Sequence, residues 1–219
     1  MSDYAAARHN MIESQIRPNK VTDSRILEAF ETIPRENFVP AAMQAIAYAD
    51  EDLHIGGGRY LIEPMILGRL LQDALPDEDD IALEIGCGTG YSTAILSKLV
   101  SSVVAIEQDQ CLVEIGNKNL TELEIDNAAI VQGDLQEGYE NQKPYSLILI
   151  AGGVEEVPNP ILDQIAESGR LVTVLYDSDG VVGRATSFER IAGRISRRIM
   201  FDAATPILPG FSKEYSFVL

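Results

Sequence analysis

The chain has 219 residues, a hydrophobic content of 46% and a formal net charge of −17 at pH 7. This length suits one large α/β domain and leaves little room for a second independent one. The negative charge repels nucleic acid and anionic membrane surfaces, because nucleic-acid binding depends chiefly on Lys and Arg at the phosphates. We therefore expect no nucleic-acid substrate, although the charge could also serve solubility alone. The densest run of cations, GRISRR, is short and predicts an exposed strand.

Neither a leader, a membrane span nor a metal site is expected from the sequence. MSDYAAARHN lacks a basic region followed by an apolar run, so we expect no signal peptide and a cytoplasmic protein. The longest uncharged apolar stretch, near Tyr145–Val154, is about half of what a membrane span needs. Cys87 and Cys111 cannot form a metal cage alone, and His9 and His54 are not spaced to complete one. We expect both cysteines to be small buried hydrophobes.

The first eighty residues show helical patterns. A periodic segment at 3–17 predicts a helix that Pro18 stops. Asp23 is a good N-cap for a second helix, which should end at Pro34. The glycine stretch GGGRYLIEP follows, and its Pro64 predicts the first turn of a third helix.

From Ile81 the pattern changes to short apolar runs rich in β-branched residues. Helical segments separate most of them, as expected for buried parallel strands with helices on both faces of the sheet. The predicted parallel strands are IALEIG, VVAIE, AAIVQG, YSLILIAG and GRLVTVL, and the intervening helices are YSTAILSKLV, CLVEIGNKNLTELE and PNPILDQIAE. Asp179–Gly180 then predicts a hairpin, followed by antiparallel strands in VVGRATSFERI, GRISRRIMF and EYSFVL. Ligands bind such open, doubly wound sheets at the carboxyl ends of the strands.

The loop after the first of these strands reads EIGCGTGY. Gly86, Gly88 and Gly90 predict a tight turn, in which the main chain approaches a ligand closely before a helix begins. The dinucleotide fingerprint would need a glycine where Tyr91 stands, so a pyrophosphate ligand is disfavoured. Glu84, which precedes the first glycine, would instead attract an ammonium or sulfonium group.

Two further acids follow the next strands. Glu107, with its neighbour Gln108, ends the second strand about 20 residues after Gly86, the interval at which an acid meets ribose hydroxyls in such folds. The alternative for Glu107 is a solvent-exposed acid at a strand end. Asp134, next to Leu135, could accept a hydrogen bond from a purine amino group, or it could be an ordinary turn acid.

This combination is the layout of Rossmann-like, S-adenosylmethionine-dependent methyltransferases. In such a site, Cys87 and Tyr91 would touch the cofactor only through backbone or packing. Ala151 and Gly152, after the fourth strand, would border the methyl group. His54 lies near the predicted pocket, but a lone histidine is more often structural, and we do not assign it as a base.

Longer segments resemble the protein-L-isoaspartate O-methyltransferase family. They are MIESQIRPNKVTDSRILEAFETIPRENFVP, AYADEDLHIGGGRYLIEP, ALEIGCGTGYSTAIL, AIEQD, VQGD and QIAESGRLVTVL. The segment ATPILPGF at Ala204–Phe211 resembles that of a divergent, shorter branch. The resemblance implies an α/β fold of the class I methyltransferase type, with a seven-stranded doubly wound sheet, an antiparallel C-terminal strand and an added N-terminal helical segment. It also implies a single domain over 1–219, with an acceptor side at 1–75 and a cofactor-binding sheet at 76–219.

The resemblance further implies methyl transfer from S-adenosyl-L-methionine to a carboxylate of a damaged protein or peptide, leaving S-adenosyl-L-homocysteine. Arg59, Tyr60 and Ile62 stand where the family has Gln, Thr and the Ser thought to contact the substrate carboxylate. An aliphatic side chain cannot hydrogen-bond a carboxylate, so no catalytic residue is identified. Arg59 could supply a replacement cation, or it could be a surface arginine.

Three hypotheses remain open from the sequence. The chain could methylate isoaspartyl residues with weakened acceptor recognition, or it could methylate a different, more apolar acceptor. It could also bind the cofactor without turnover, as a scaffold or regulatory partner. All three require S-adenosylmethionine binding, and the sequence leaves the oligomeric state undetermined.

Overall fold

A computed structural model describes residues 3–177 and 182–213. Helix α1 spans Tyr4–Met11, and the helical path continues through a π turn at Ile12–Ile16 and a 3₁₀ turn at Arg17–Asn19. The path reverses at Lys20, whose φ is 70°. The predicted stop at Pro18 is therefore correct to within two residues.

The next two helices begin where their capping residues predicted. Helix α2 spans Ser24–Thr32, and the Asp23 carboxylate accepts a hydrogen bond of 2.9 Å from the amide of Arg25. Helix α3 spans Pro64–Ala74, with the proline at its first position, where its missing N–H costs nothing. Short 3₁₀ turns at Arg35–Phe38 and Ala41–Ile46 lie between them.

The glycine stretch forms a β-hairpin, which the sequence pattern did not predict. Strand β1 spans Leu53–Gly56 and pairs antiparallel with β2, Arg59–Leu61. The three glycines between 56 and 58 have φ values of 103°, 56° and 69°, which residues with a side chain rarely adopt. In β2 the first and third residues are buried and Tyr60 is exposed, so the Arg59 side chain points into the protein.

Seven further strands form one sheet in the order β5-β4-β3-β6-β7-β8-β9. Their bounds are Ile81–Ile85 for β3, Ser102–Glu107 for β4, Ala128–Gln132 for β5, Tyr145–Val154 for β6, Ile165–Tyr176 for β7, Gly183–Ile191 for β8 and Arg194–Asp202 for β9. Strands β3 to β7 pair in parallel, as predicted, and β8 and β9 pair antiparallel. The order reverses between β3 and β6, which is where a doubly wound sheet binds its ligand. Strand β9, which contains most of GRISRR, is largely exposed, as expected.

Three helices connect the parallel strands. They are α4 at Tyr91–Ser97, α5 at Gln110–Glu122 and α6 at Asn159–Leu162. Helix α6 has four residues, shorter than PNPILDQIAE predicted, because the Gln164 carbonyl already accepts from the Tyr145 amide at 2.8 Å and starts β7. The hairpin predicted at Asp179–Gly180 and the strand predicted in EYSFVL lie outside the described residues.

The sheet separates two apolar layers, and alternate residues of one strand enter each layer. In β6, Leu147 and Leu149 pack with the N-terminal helices, whereas Ile148 and Ile150 pack on the opposite face. Cys87 is buried, as predicted, but Cys111 is exposed on α5, so the prediction for Cys111 is wrong. No helix within 3–177 or 182–213 is both long and apolar enough to cross a bilayer.

Candidate active site

The glycine loop lies at the carboxyl end of β3, beside the point where strand order reverses. Gly86, Gly88 and Gly90 have φ values of 78°, 57° and 90°, so the loop turns tightly, as the spacing predicted. Gly90 is also the N-cap of α4. A side chain at any of the three positions would be strained, so this backbone shape requires glycine.

The acid in front of the loop is fully buried and paired within the chain. Glu84 accepts hydrogen bonds from the hydroxyls of Ser92 and Thr93 on α4, the latter at 2.5 Å. Burial raises the pKa of Glu84 to about 7, and the nearby carboxylate of Glu107 adds to this, although the two hydroxyls and Arg59 oppose it. Attraction of a sulfonium by this residue stays a prediction.

The acid at the end of β4 is also fully buried, so the alternative of an exposed strand-end acid is wrong. One Glu107 oxygen accepts from the amides of Gln108 at 2.9 Å and Asp109 at 3.2 Å. The other accepts from the amide of Gly88 at 2.9 Å and from Nε of Arg59 at 3.0 Å. The carboxylate thus fixes the glycine loop, the end of β4 and the hairpin together.

The partner of this acid was not anticipated. Arg59 is 2% exposed, so the alternative of a surface arginine is wrong. Besides its bond to Glu107, its Nη2 donates to the carbonyl of Gly86 at 2.5 Å. The sequence gives no clear signal for this contact, because the strand that bears Arg59 has three residues, too few to show an alternating pattern.

A second unanticipated element is the segment Thr205–Phe211, part of the ATPILPGF motif. It lies along the end of β6, where Gly153 donates to the Pro206 carbonyl at 2.9 Å and accepts from the Leu208 amide at 2.8 Å. Leu208 is 3% exposed and packs with the apolar residues of the sheet. A Cβ built on Gly152 would lie 2.4 Å from Cδ2 of Leu208, so the two occupy adjoining space.

Other predicted cofactor residues lie around the same edge of the sheet. Cys87, Leu135 and Ala151 are buried, whereas Gln108 and Asp134 are exposed. The Asp134 carboxylate accepts from the amide of Gln136 at 2.9 Å, as an acid in a turn commonly does. Their contacts with a cofactor stay predictions.

Tyr91 faces the N-terminal helices. Its ring packs edge-on against Phe30 and Phe38, with centroids 6.3 and 5.4 Å away, and the guanidinium of Arg35 lies 4.8 Å from the ring centroid. Arg35 also donates to the carbonyl of Ile62 at 2.8 Å. Arg35, which lies in the first of the segments that resemble the family, therefore fixes the backbone of Ile62, the residue that stands at the position of the family's serine.

The three residues predicted for the acceptor side are split between the core and the surface. Ile62 is buried among apolar residues, so its side chain offers nothing to a polar group in solvent. Tyr60 is 38% exposed, and its ring lies 5.2 Å from that of His54. Of the three predicted acceptor residues, only Tyr60 is presented to solvent.

The doubly wound sheet and its glycine loop between two buried acids define an S-adenosylmethionine-dependent methyltransferase of the Rossmann-like class. A family model described as protein-L-isoaspartate (D-aspartate) O-methyltransferase matches residues 6–196. A relative from Koribacter versatilis is 38% identical over 172 residues, 78% of each chain, and one from Protochlamydia amoebophila is 40% identical over 162 residues, 74% of this chain and 77% of the other. Both bear the name protein-L-isoaspartate O-methyltransferase. The chain belongs to this family.

Solved structures agree with the fold. A protein-L-isoaspartate O-methyltransferase superposes with a TM-score of 0.82 and 26% identity, covering 93% of this chain and 66% of that one. A Plasmodium falciparum protein described as a member of the family, solved with S-adenosyl-L-homocysteine, gives a TM-score of 0.77 at 18% identity. That likeness supports the fold, including the seven-stranded sheet with its antiparallel end.

Two side chains of the chain itself lie where the family's cofactor, S-adenosylmethionine, is predicted to bind. Arg59 already binds the acid predicted for the ribose and the carbonyl of Gly86. A Cβ built on Gly86 would lie 2.5 Å from Nη2 of Arg59 and 3.0 Å from Cδ1 of Leu208. Arg59 and Leu208 therefore occupy the space next to Gly86.

Proposed function

We propose that the chain methylates a carboxylate on a protein or peptide, with S-adenosylmethionine as the methyl donor. The observation that carries the proposal is the glycine loop held between the buried acids Glu84 and Glu107 at the strand-order reversal. Membership of the isoaspartyl methyltransferase family supports the reaction class. The net charge of −17 disfavours a nucleic-acid acceptor.

We infer a division of labour along one domain. Residues 1–75 supply the acceptor side, where Arg59, Tyr60 and Ile62 replace the family's polar residues. Residues 76–219 supply the cofactor side, through Glu84, Gly86, Cys87, Gly88, Gly90, Tyr91, Glu107, Gln108, Asp134, Leu135 and Ala151. An acceptor carboxylate is already ionised at neutral pH, so the chain need not provide a general base. Its contribution is positioning, which is worth up to about 7–11 kcal/mol in favourable cases.

The test is transfer of labelled methyl groups to an isoaspartyl peptide. We expect a base-labile ester that releases methanol. The Gly86→Val variant should form none, because its side chain would enter the space between Arg59 and Leu208. Wild-type ester formation no greater than that of this variant would exclude isoaspartyl activity.

A more apolar acceptor is the second candidate, and the exposed aromatic ring of Tyr60 favours it. This ring lies 5.2 Å from that of His54, so the two form an aromatic pair that a substrate would meet in place of the family's polar residues. Restoring the family residues with Tyr60→Thr and Ile62→Ser distinguishes the candidates. The double change should increase transfer to an isoaspartyl peptide if that is the native acceptor, and should leave native activity unimproved or impaired if the acceptor is apolar.

A further inference from the structure

We propose that Arg59 and Leu208 form an internal plug that competes with the cofactor and sets the affinity of the chain for it. The inference rests on the proposed function, because it assumes that the glycine loop is a cofactor site. Arg59 enters the site from strand β2, and Leu208 enters it from the segment after β9. Two separate parts of the chain thus meet at Gly86.

Arg59 blocks the polar half of the site. A carboxylate has about four acceptor positions, and Glu107 uses them for three backbone amides and Nε of Arg59. A ligand hydroxyl can therefore bind this carboxylate only in place of the guanidinium. The carbonyl of Gly86 also accepts from Nη2 of Arg59, so a ligand donor would share this oxygen with the guanidinium.

Leu208 blocks the apolar half. Its methyl groups lie within 3.0–3.2 Å of a Cβ built on Gly86, and one lies 2.4 Å from a Cβ built on Gly152. Glycine at 86 and 152 would let a ligand approach the backbone, but the leucine takes up that room. The segment that bears it is held at both ends, because Thr205 donates to Asp52 at 3.0 Å and the Phe211 carbonyl accepts from the Glu155 amide at 3.1 Å.

The plug lowers the apparent affinity for the cofactor by an amount that depends on how often the site is open. If the open arrangement is a minor fraction of the molecules, the dissociation constant rises by the inverse of that fraction. A change that removes either half of the plug should raise the open fraction and tighten binding. The two halves come from different segments, so each can be tested without altering the other.

The experiment is calorimetric titration with S-adenosyl-L-homocysteine, which avoids turnover. The proteins are the wild type, Arg59→Gln, Leu208→Ala and the double variant, with Arg17→Gln as a control that removes an exposed arginine paired with Glu13. Glutamine is the family's residue at this position and can still donate to Glu107. We expect about tenfold tighter binding in each single variant, a larger gain in the double variant, and no change in the control.

Each other outcome has a defined meaning. Equal affinity of the wild type and the plug variants would overturn the plug and leave the proposed function standing. Weaker binding by Arg59→Gln would also overturn it, because Arg59 would then be a ligand-binding residue. If no variant binds the probe, although thermal unfolding shows that all are folded, the plug and the proposed function both fail. Leu208→Ala keeps the Arg59–Glu107 pair and so provides a test even if Arg59→Gln is unstable.

Discussion

Nε of Arg59 lies 3.0 Å from a carboxylate oxygen of Glu107, and both side chains are almost fully buried. The two residues are 48 positions apart, one in the N-terminal hairpin and the other at the end of β4. An ion pair inside a protein is stable only while both charges are present, since each has lost its hydration. The pair therefore fixes the hairpin on the sheet while it occupies the candidate cofactor site.

Removal of one partner of this pair should destabilise the fold. We expect Arg59→Met to lower the free energy of unfolding by about 3 kcal/mol, because Glu107 would be left as a buried charge with no counter-ion. Urea unfolding measures the change. Arg17→Met is the control, and it should cost less than about 0.5 kcal/mol, since its pair with Glu13 is half exposed. Equal costs in the two variants would contradict this account of the buried pair.

Glu84 should make the protein less stable as pH rises through neutrality. Burial raises the pKa of Glu84 to about 7 in the folded chain, above its usual value of about 4.3 in an unfolded one. Between these values the folded state binds more protons, so stability falls with rising pH. The full cost, about 4 kcal/mol, is present above the folded pKa and absent below the unfolded one.

Glu84→Gln isolates this effect, because glutamine does not ionise. We expect the difference in unfolding free energy, wild type minus variant, to fall by about 3 kcal/mol from about pH 5 to pH 8. Urea unfolding at a series of pH values gives this difference. The contributions of most other titrating groups cancel in it, because they are the same in both proteins. A difference that stays constant over the range would show that Glu84 is ionised throughout.

The last glycine of the loop, Gly90, should tolerate a side chain poorly. In Gly90→Ala the new methyl group would be strained at a φ of 90° and would lie 2.9 Å from Cδ1 of Ile130. Gly193 has a similar φ of 73°, but a Cβ there meets nothing within 4 Å. We expect Gly193→Ala to cost about 1 kcal/mol from strain alone, and Gly90→Ala to cost about 1–3 kcal/mol more. Thermal unfolding compares the stabilities of the two variants. Similar losses of stability would mean that Ile130 moves away from the new methyl group at no cost.

Arg170 should not be replaceable by lysine. On β7 its guanidinium donates to both oxygens of Asp80, at 2.8 and 2.5 Å, and to the carbonyls of Ala74 and Leu75, each at 2.7 Å. A lysine ammonium cannot reproduce this planar set of bonds. We therefore expect Arg170→Lys to destabilise the fold by about 2–3 kcal/mol, as measured by urea unfolding.

Arg184 on β8 is the matched control. Its contact with Asp177, at 3.0 Å, is partly exposed, so Arg184→Lys should change stability by less than about 0.5 kcal/mol. If both lysine variants are equally stable, the hydrogen bonds from Arg170 to the carbonyls make no net contribution to the stability of the fold.

Much of the fold could be predicted from short stretches of the sequence. The five parallel strands were predicted because apolar runs of five to eight residues, each followed by a turn, are typical of buried strands. The caps at Asp23 and Pro64 were predicted because each acts on backbone groups within three residues of itself. The hairpin at β1 and β2 was missed because its strands have four and three residues, too few to show an alternating pattern.

The sheet, the glycine loop and the two acids that flank it could be predicted without coordinates, since glycine spacing and strand periodicity depend only on neighbours along the chain. The partners of those acids could not be predicted, because residues in other elements of the fold supply most of them. Glu84 faces helix α4, Glu107 faces an arginine 48 positions earlier, and Leu208 reaches Gly86 from near the end of the chain. Such contacts follow from how separate elements pack, because a buried charge or apolar group is stabilised by whatever the fold brings beside it.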